Sequence, residues 1–156
     1  MEQLFQRKRG FSGIGIENVK DRFNIGTLFL SAHCFGADFI FTIGERYKKQ
    51  ASDTTKAWKS IPLLHFKDFN DFYGHIPLDC CLVGIEITET ARSLNNFIHP
   101  ERAVYILGAE DYGLSTVAIE KCKQIVKITQ SSLCLNVSVA GSIIMFDRLS
   151  KINNGK

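Results

Sequence analysis

Two segments constrain this chain more than any others: Val104 to Leu114, and Leu133 to Ile143. In the first, the apolar β-type run Val104–Leu107 breaks into a glycine-rich turn that carries Glu110. In the second, a polar turn ending at Asn136 runs directly into an apolar helix built with small residues. Gly108 and Gly113 bracket the first turn, where the lack of a Cβ lets backbone approach a ligand closely. Asn136 stands where a helix N-terminus presents unpaired N–H groups. Two ligand-facing turns at the ends of apolar strands mark the expected place of a small-molecule site in an open α/β sheet.

The first turn reads Gly108-Ala-Glu110-Asp-Tyr-Gly113-Leu114 and the second Cys134-Leu135-Asn136-Val-Ser138-Val-Ala140. A third piece, Asn24 to Ala37, starts at an asparagine and ends in Phe35-Gly36-Ala37. Together they resemble, in order, motifs two, three and one of the SPOUT superfamily, specifically the SpoU/TrmH-type RNA 2′-O-methyltransferases. The matching stretch runs from residue 24 to 147 and covers most of the chain.

Composition agrees with one globular domain over residues 1–156, with a basic N-terminal arm over about 1–12 and a frayed polar tail over 150–156. Hydrophobic content is 45% and charged content 22%, ordinary for a packed domain. No apolar run approaches the roughly 20 residues of a membrane span, and the N-terminus lacks signal-peptide character. A cytoplasmic, membrane-free protein is the expectation. The five cysteines include no Cys-x-x-Cys pair and no histidine lies at metal spacing, so neither a disulfide framework nor a metal site is expected. Cys80 and Cys81 read as buried thiols.

The net charge of +3 does not by itself announce nucleic acid, but its distribution is uneven. Arg7-Lys8-Arg9 form one cluster and Lys20 with Arg22 a second. Arg46, Lys48, Lys49, Lys56 and Lys59 interleave with Tyr47 and Trp58 in a third. Each alone reads as solvated loop charge; together they suit RNA phosphates, with Tyr47 and Trp58 as stacking platforms. Trp58 equally suits a core or an interface.

Read coarsely, strands alternate with helices. Strands are expected at 13–19, 38–44, 62–66, 80–87, 102–107 and 124–128. Helices are expected at 24–35, 66–73, 115–122 (capped by Ser115) and 135–149. This alternation predicts an α/β parallel sheet with helices on both faces. The resemblance adds what no periodicity shows: a C-terminal trefoil knot whose loops bind S-adenosylmethionine, in a homodimer with the site beside the partner subunit. It also implies an RNA substrate, tRNA or rRNA. The run Val137 to Phe146 suits such packing, since Ser138, Ala140, Gly141 and Ser142 are small, although an ordinary buried helix explains its apolar residues equally well.

By the same resemblance, Ile85, Leu107, Gly108, Val126, Ile128, Leu133, Cys134 and Asn136 would line the methyl-donor pocket. Asn24, Glu110 and Asn136 match polar positions of the family's active site. Glu110 would orient substrate or a basic partner; Asn136 would fix its turn or hold substrate; Asn24 fits a site role or simple helix capping. Two departures stand out. The family's arginine six residues after the motif-one asparagine is Leu30 here, and a leucine can neither activate a hydroxyl nor accept its proton. The motif-three serine is Cys134, a weaker hydrogen-bonding group. Arg22 and Arg148 are the candidate replacements for the missing arginine, with Arg148 alternatively a surface partner of Asp147. Two readings follow: a ribose 2′-O-methyltransferase, or a dimeric S-adenosylmethionine- and RNA-binding module that has lost catalysis. A nucleotide-binding protein of another kind ranks below both, because the chain has neither Gly-x-Gly-x-x-Gly nor a phosphate-binding Gly-Lys-Ser/Thr.

Overall fold

The apolar runs form one seven-stranded, all-parallel sheet in the order β3-β2-β1-β6-β4-β7-β5. In this computed structural model the described residues are 10–44, 61–131 and 133–154. The strands are β1 (Phe11–Glu17), β2 (Phe39–Ile43), β3 (Leu63–Phe66), β4 (Cys81–Ile85), β5 (Arg92–Ser93), β6 (Arg102–Leu107) and β7 (Gln124–Lys127). The helices are α1 (Arg22–Cys34), α2 (Phe69–His75), α3 (Thr116–Lys121) and α4 (Val137–Asn154). The clusters at 7–9 and 46–59, with Tyr47 and Trp58, lie outside the described residues.

Strand alternation sorts the core onto two faces. Tyr105 and Leu107 of β6 join Ile25, Leu28 and Phe29 of α1 and Ile144 of α4 on one face. Val104 and Ile106 join Phe69 and Phe72 of α2 and Ala118 of α3 on the other. Helices therefore cover both faces, as a parallel sheet buried on each side requires. Each large side chain taken fully out of water contributes roughly 2–3 kcal/mol. The glycines of β1 serve this packing: a Cβ on Gly13 would meet the Phe39 ring at 2.2 Å, and one on Gly15 the Phe41 ring at 2.5 Å.

Several boundaries differ from expectation. β1 begins at Phe11, inside the stretch read as an arm, and ends at Glu17, because Asn18 turns the chain with a φ of 53°. β5 and the 3₁₀ turn Leu94–Asn96 have no apolar periodicity to betray them. The last helix runs five residues past Leu149, to Asn154. Lys151 explains the extension: its ammonium donates to the carbonyls of Leu94 (2.6 Å) and Phe97 (3.1 Å) and pairs with Asp147 at 2.7 Å. A polar composition was read as fraying where those polar groups had partners elsewhere in the fold.

Candidate functional site

The carboxyl ends of β6, β4 and β7 meet the N-terminus of α4, and there the three motif segments converge. Asn24 Nδ2 donates to Glu110 Oε1 at 2.5 Å, and Asn136 Nδ2 donates to Asn24 Oδ1 at 2.9 Å and to Glu110 Oε1 at 3.0 Å. These residues stand 86 and 112 positions from Asn24, so only the tertiary fold joins them. Asn136 also caps α4, its Oδ1 accepting from Ser138 N and Ser138 Oγ at 2.9 and 2.6 Å. The asparagine thus holds its turn and the cluster at once. Asn24 is not a cap: Asp21 performs that task for α1, accepting from Phe23 N at 2.9 Å. Asn24 is buried, whereas Glu110 and Asn136 are exposed.

A cavity of about 120 Å³ adjoins this cluster and shares its wall, since Leu135 and Val137 line it on either side of Asn136. Of the expected pocket residues, Ile85, Leu107, Gly108, Ile128 and Cys134 line the cavity. Val126 does not, because it is fully buried beneath its strand, and Leu133 does not, being 87% exposed on the loop. Asn136 belongs to the polar cluster instead. Sequence reasoning missed Lys127, the last residue of β7, and Glu86, Ile87 and Gln130, which lie just beyond strand ends. The signal was available: in parallel sheets the residues just beyond the carboxyl ends of strands face the ligand crevice.

The motif-two turn is pinned by two carboxylates from neighbouring strands. Glu86 Oε2 accepts from Leu114 N at 2.9 Å, and Glu17, buried at the end of β1, accepts from Ser115 N (2.9 Å) and Ser115 Oγ (2.7 Å). Ser115 in turn caps α3, as its position predicted. The two glycines of the turn also meet a packing need. A Cβ on Gly108 would lie 1.9 Å from the Gly113 carbonyl carbon, and one on Gly113 would lie 2.5 Å from Glu86 Oε2. They let the chain fold back on itself, and both line the cavity.

The two proposed replacements for the missing arginine fare differently. Arg148 is buried, and its guanidinium donates to the carbonyls of Pro100 (2.5 Å) and Glu101 (2.7 Å) and to the Tyr105 hydroxyl (3.2 Å). At 1.5 Å per residue it sits roughly 18 Å along α4 from Asn136, so it does not serve the cluster and is no surface partner of Asp147. Arg22 opens α1. Leu30 lies on the outer side of α1, 46% exposed. Lys20 pairs with Asp111 at 3.7 Å, which ties the approach to α1 to the motif-two turn.

All five cysteines are free thiols; burial pushes Cys122 up to about 12 and raises Cys80, so neither is a nucleophile at neutral pH. Among the described residues no group of acidic, histidine or cysteine side chains is placed to hold a metal ion, and no helix is long and apolar enough to cross a membrane.

The sequence model of the SpoU rRNA Methylase family matches residues 13–146. No curated protein sequence matches the chain. Among solved structures, the SpoU methyltransferase AviRb from Streptomyces viridochromogenes superposes with a TM-score of 0.85 at 19% identity, covering 100% of this chain and 65% of that one. AviRb in complex with AdoMet gives 0.84 at 20% identity, over 96% of this chain and 61% of that one. The A. aeolicus TrmH/SpoU tRNA modifying enzyme gives 0.81 at 18% identity, over 95% and 79%. A structure solved for the 2-OH methylation of C/U34 on tRNA gives 0.81 at 16% identity, over 93% and 98%. At these identities the likeness is one of fold, and the chain spans about two thirds of the AviRb chain.

Proposed function

Because the chain belongs to the SpoU rRNA Methylase family, we propose that it is an S-adenosylmethionine-dependent RNA methyltransferase acting on a ribose 2′-hydroxyl of tRNA or rRNA. The observation that carries this reading is the cluster of Asn24, Glu110 and Asn136 beside the cavity. The AdoMet complex of AviRb and the tRNA 2-OH methylation structure, both of this fold, support it. The trefoil threading of the C-terminal segment belongs to the same proposal.

The cavity wall suits the cofactor. Leu107, Ile128, Leu135 and Val137 offer apolar surface for an adenine ring, and Lys127 offers a cation for a carboxylate. S-adenosylmethionine, when bound, supplies an electrophilic methyl group. The protein's own residues then orient the acceptor. Glu110 Oε1 is committed to two amide N–H groups, while Oε2 has no partner among the described residues and is the acceptor for a ribose hydroxyl. Asn24 and Asn136 keep that carboxylate in one position, so its orientation is set before substrate arrives.

The homodimer is part of the proposal. Phe23 and Leu30 stand seven residues apart on α1, Val139 and Phe146 seven apart on α4, and they are 85%, 46%, 45% and 57% exposed. The two helices are joined by the Ser142–Ser31 hydrogen bond (2.6 Å) and the Phe35–Phe146 ring contact (5.8 Å), so the stripes form one apolar face. A face of this kind is covered in stable proteins, and a second copy covers it. A monomer by light scattering at micromolar concentration, with activity intact, would contradict this.

Leu30 favours a second reading, a binding module without turnover: an exposed leucine continues the apolar face where the resemblance leads one to expect an arginine. One experiment separates the two. Wild-type protein is incubated with labelled S-adenosylmethionine and total RNA, and the labelled nucleoside is mapped. A 2′-O-methylnucleoside is expected, with Arg22→Ala lowering transfer by about 10²-fold or more at unchanged cofactor affinity. A methylated base rejects the ribose assignment. Inert wild type with transfer gained in Leu30→Arg establishes the binding module.

A further inference from the structure

Glu86 is the single carboxylate among the residues that line the cavity, and several features fix it in place. Its backbone N–H is tied to Val126 O at 3.1 Å, at the start of the connection leaving β4. Its Oε1 accepts from Ile87 N at 2.9 Å and its Oε2 from Leu114 N at 2.9 Å. Gly113, held at a φ of 66°, leaves room for Oε2 where any Cβ would intrude. Among the described residues no lysine, arginine or histidine pairs with it. A carboxylate presents about four lone-pair sites, two on each oxygen. Backbone N–H groups use one on each oxygen. One acceptor site per oxygen remains, on a side chain whose conformation is already set.

We infer that Glu86 binds the vicinal ribose diol of the methyl donor, one hydroxyl donating to each carboxylate oxygen. This rests on the S-adenosylmethionine reading and adds to it the residue that selects an adenosyl ligand. Two adjacent hydroxyls match two oxygens of one carboxylate, and hydrogen bonds to a charged acceptor are stronger than neutral ones. The cavity's other walls supply no second anion, so the sugar is fixed from the β4 side while the base lies against the apolar residues of β6 and the loop after β7.

Calorimetry with S-adenosylhomocysteine and its 2′-deoxy and 3′-deoxy forms tests the assignment without relying on any variant. The wild-type protein is expected to bind each deoxy form about 10-fold or more weaker, the usual effect of deleting a hydrogen bond to a charged group. Glu86→Gln is expected to weaken S-adenosylhomocysteine about 10- to 100-fold and to lose most of the discrimination against the deoxy forms. Equal affinity of wild type for all three ligands overturns the diol assignment and leaves the cofactor reading standing. An equal loss for all three ligands in Glu86→Gln also overturns it, since the carboxylate then only holds Leu114. If Glu86→Gln weakens S-adenosylmethionine more than S-adenosylhomocysteine, with deoxy discrimination intact, the carboxylate faces the sulfonium charge and the diol assignment fails. If wild type binds no S-adenosylhomocysteine, the cofactor reading falls and takes this assignment with it.

Discussion

The two ends of α4 carry two polar networks of opposite character. At the N-terminal end, Asn136 joins Asn24 and Glu110 beside a cavity, and Glu110 keeps an uncommitted oxygen facing solvent. At the C-terminal end, Asp147, Arg148 and Lys151 grip His99, Tyr105 and the carbonyls of the segment between β5 and β6. In that second network the buried groups are matched within the protein. Arg148 donates to Tyr105 Oη, so the Tyr105 hydroxyl donates to His99 Nδ1 (2.6 Å), and His99 Nε2–H donates to Asp147 Oδ2 (2.8 Å). Burial pushes the Tyr105 hydroxyl up to about 12, so it stays protonated and able to donate. No buried side-chain polar atom among the described residues lacks a partner. A network that is complete without a ligand is a staple; one with spare capacity at a cavity is a site.

Arg148→Met gives the largest effect on this contrast. It removes a buried guanidinium whose donors serve the Pro100 carbonyl and Tyr105 Oη, leaves the Glu101 carbonyl with Phe11 N alone (3.0 Å), and should lower stability by about 3 kcal/mol. Urea midpoints measure that loss. Affinity for S-adenosylhomocysteine in the folded fraction should stay within about 2-fold, because the lesion lies roughly 18 Å along the helix from Asn136. A large fall in affinity with little loss of stability would reverse the roles assigned to the two ends.

Asn136→Ala should show the opposite profile. Losing the helix cap costs about 1 kcal/mol, whereas freeing Asn24 and Glu110 should lower methyl transfer by about 10²-fold or more. Thermal melts and single-turnover transfer on the same preparation separate the two quantities. Comparable, small losses in both would leave the cluster structural.

The smallest effect is a pH dependence confined to the staple. Burial lowers the His99 pKa below its ordinary value, outweighing the hydrogen bond to Asp147, which raises it. A histidine whose folded-state pKa lies below the unfolded value binds its proton more readily when unfolded. Its contribution is therefore fully present above about pH 6.5 and is lost as pH falls toward the folded-state pKa. The charge of Asp147 raises that pKa further while Arg148 and Lys151 lower it, and the Tyr105 hydroxyl faces Nδ1 at 2.6 Å. Stability measured between pH 7.5 and 5 should fall more steeply in wild type than in His99→Phe. Parallel curves would remove His99 from the pH response.

Legibility in the sequence also differed between the two ends. Asn24, Glu110 and Asn136 could be picked out because each sits in a short local pattern: a helix start, a glycine-bracketed turn and a polar helix entry. Cavity residues were legible where an apolar strand end or a family motif marked them, as at Ile85, Leu107 and Gly108, and illegible where a charged residue stood there without one, as at Glu86. Nothing local marked His99 or Tyr105, and Arg148 read as a replacement for the missing arginine or as a surface partner of Asp147. Lys151 read as part of a frayed tail for the same reason: an isolated charge looks solvated until the fold brings carbonyls to it.

What the sequence determined by itself is the alternation of strands and helices, their two buried faces, the caps at Ser115 and Asn136, and the family pattern. These depend on residues within a few positions of one another, where backbone preference and side-chain period suffice. The tertiary structure decided the rest. It brought Asn24 to Asn136 across 112 positions, set Glu17 and Glu86 on consecutive N–H groups of one turn, and showed that Gly108 makes room for Gly113. It also gave the polar residues at the end of α4 partners in the segment between β5 and β6. Such contacts join groups whose sequence separation carries no periodic signal, so their partners are specified only when the sheet order places them side by side.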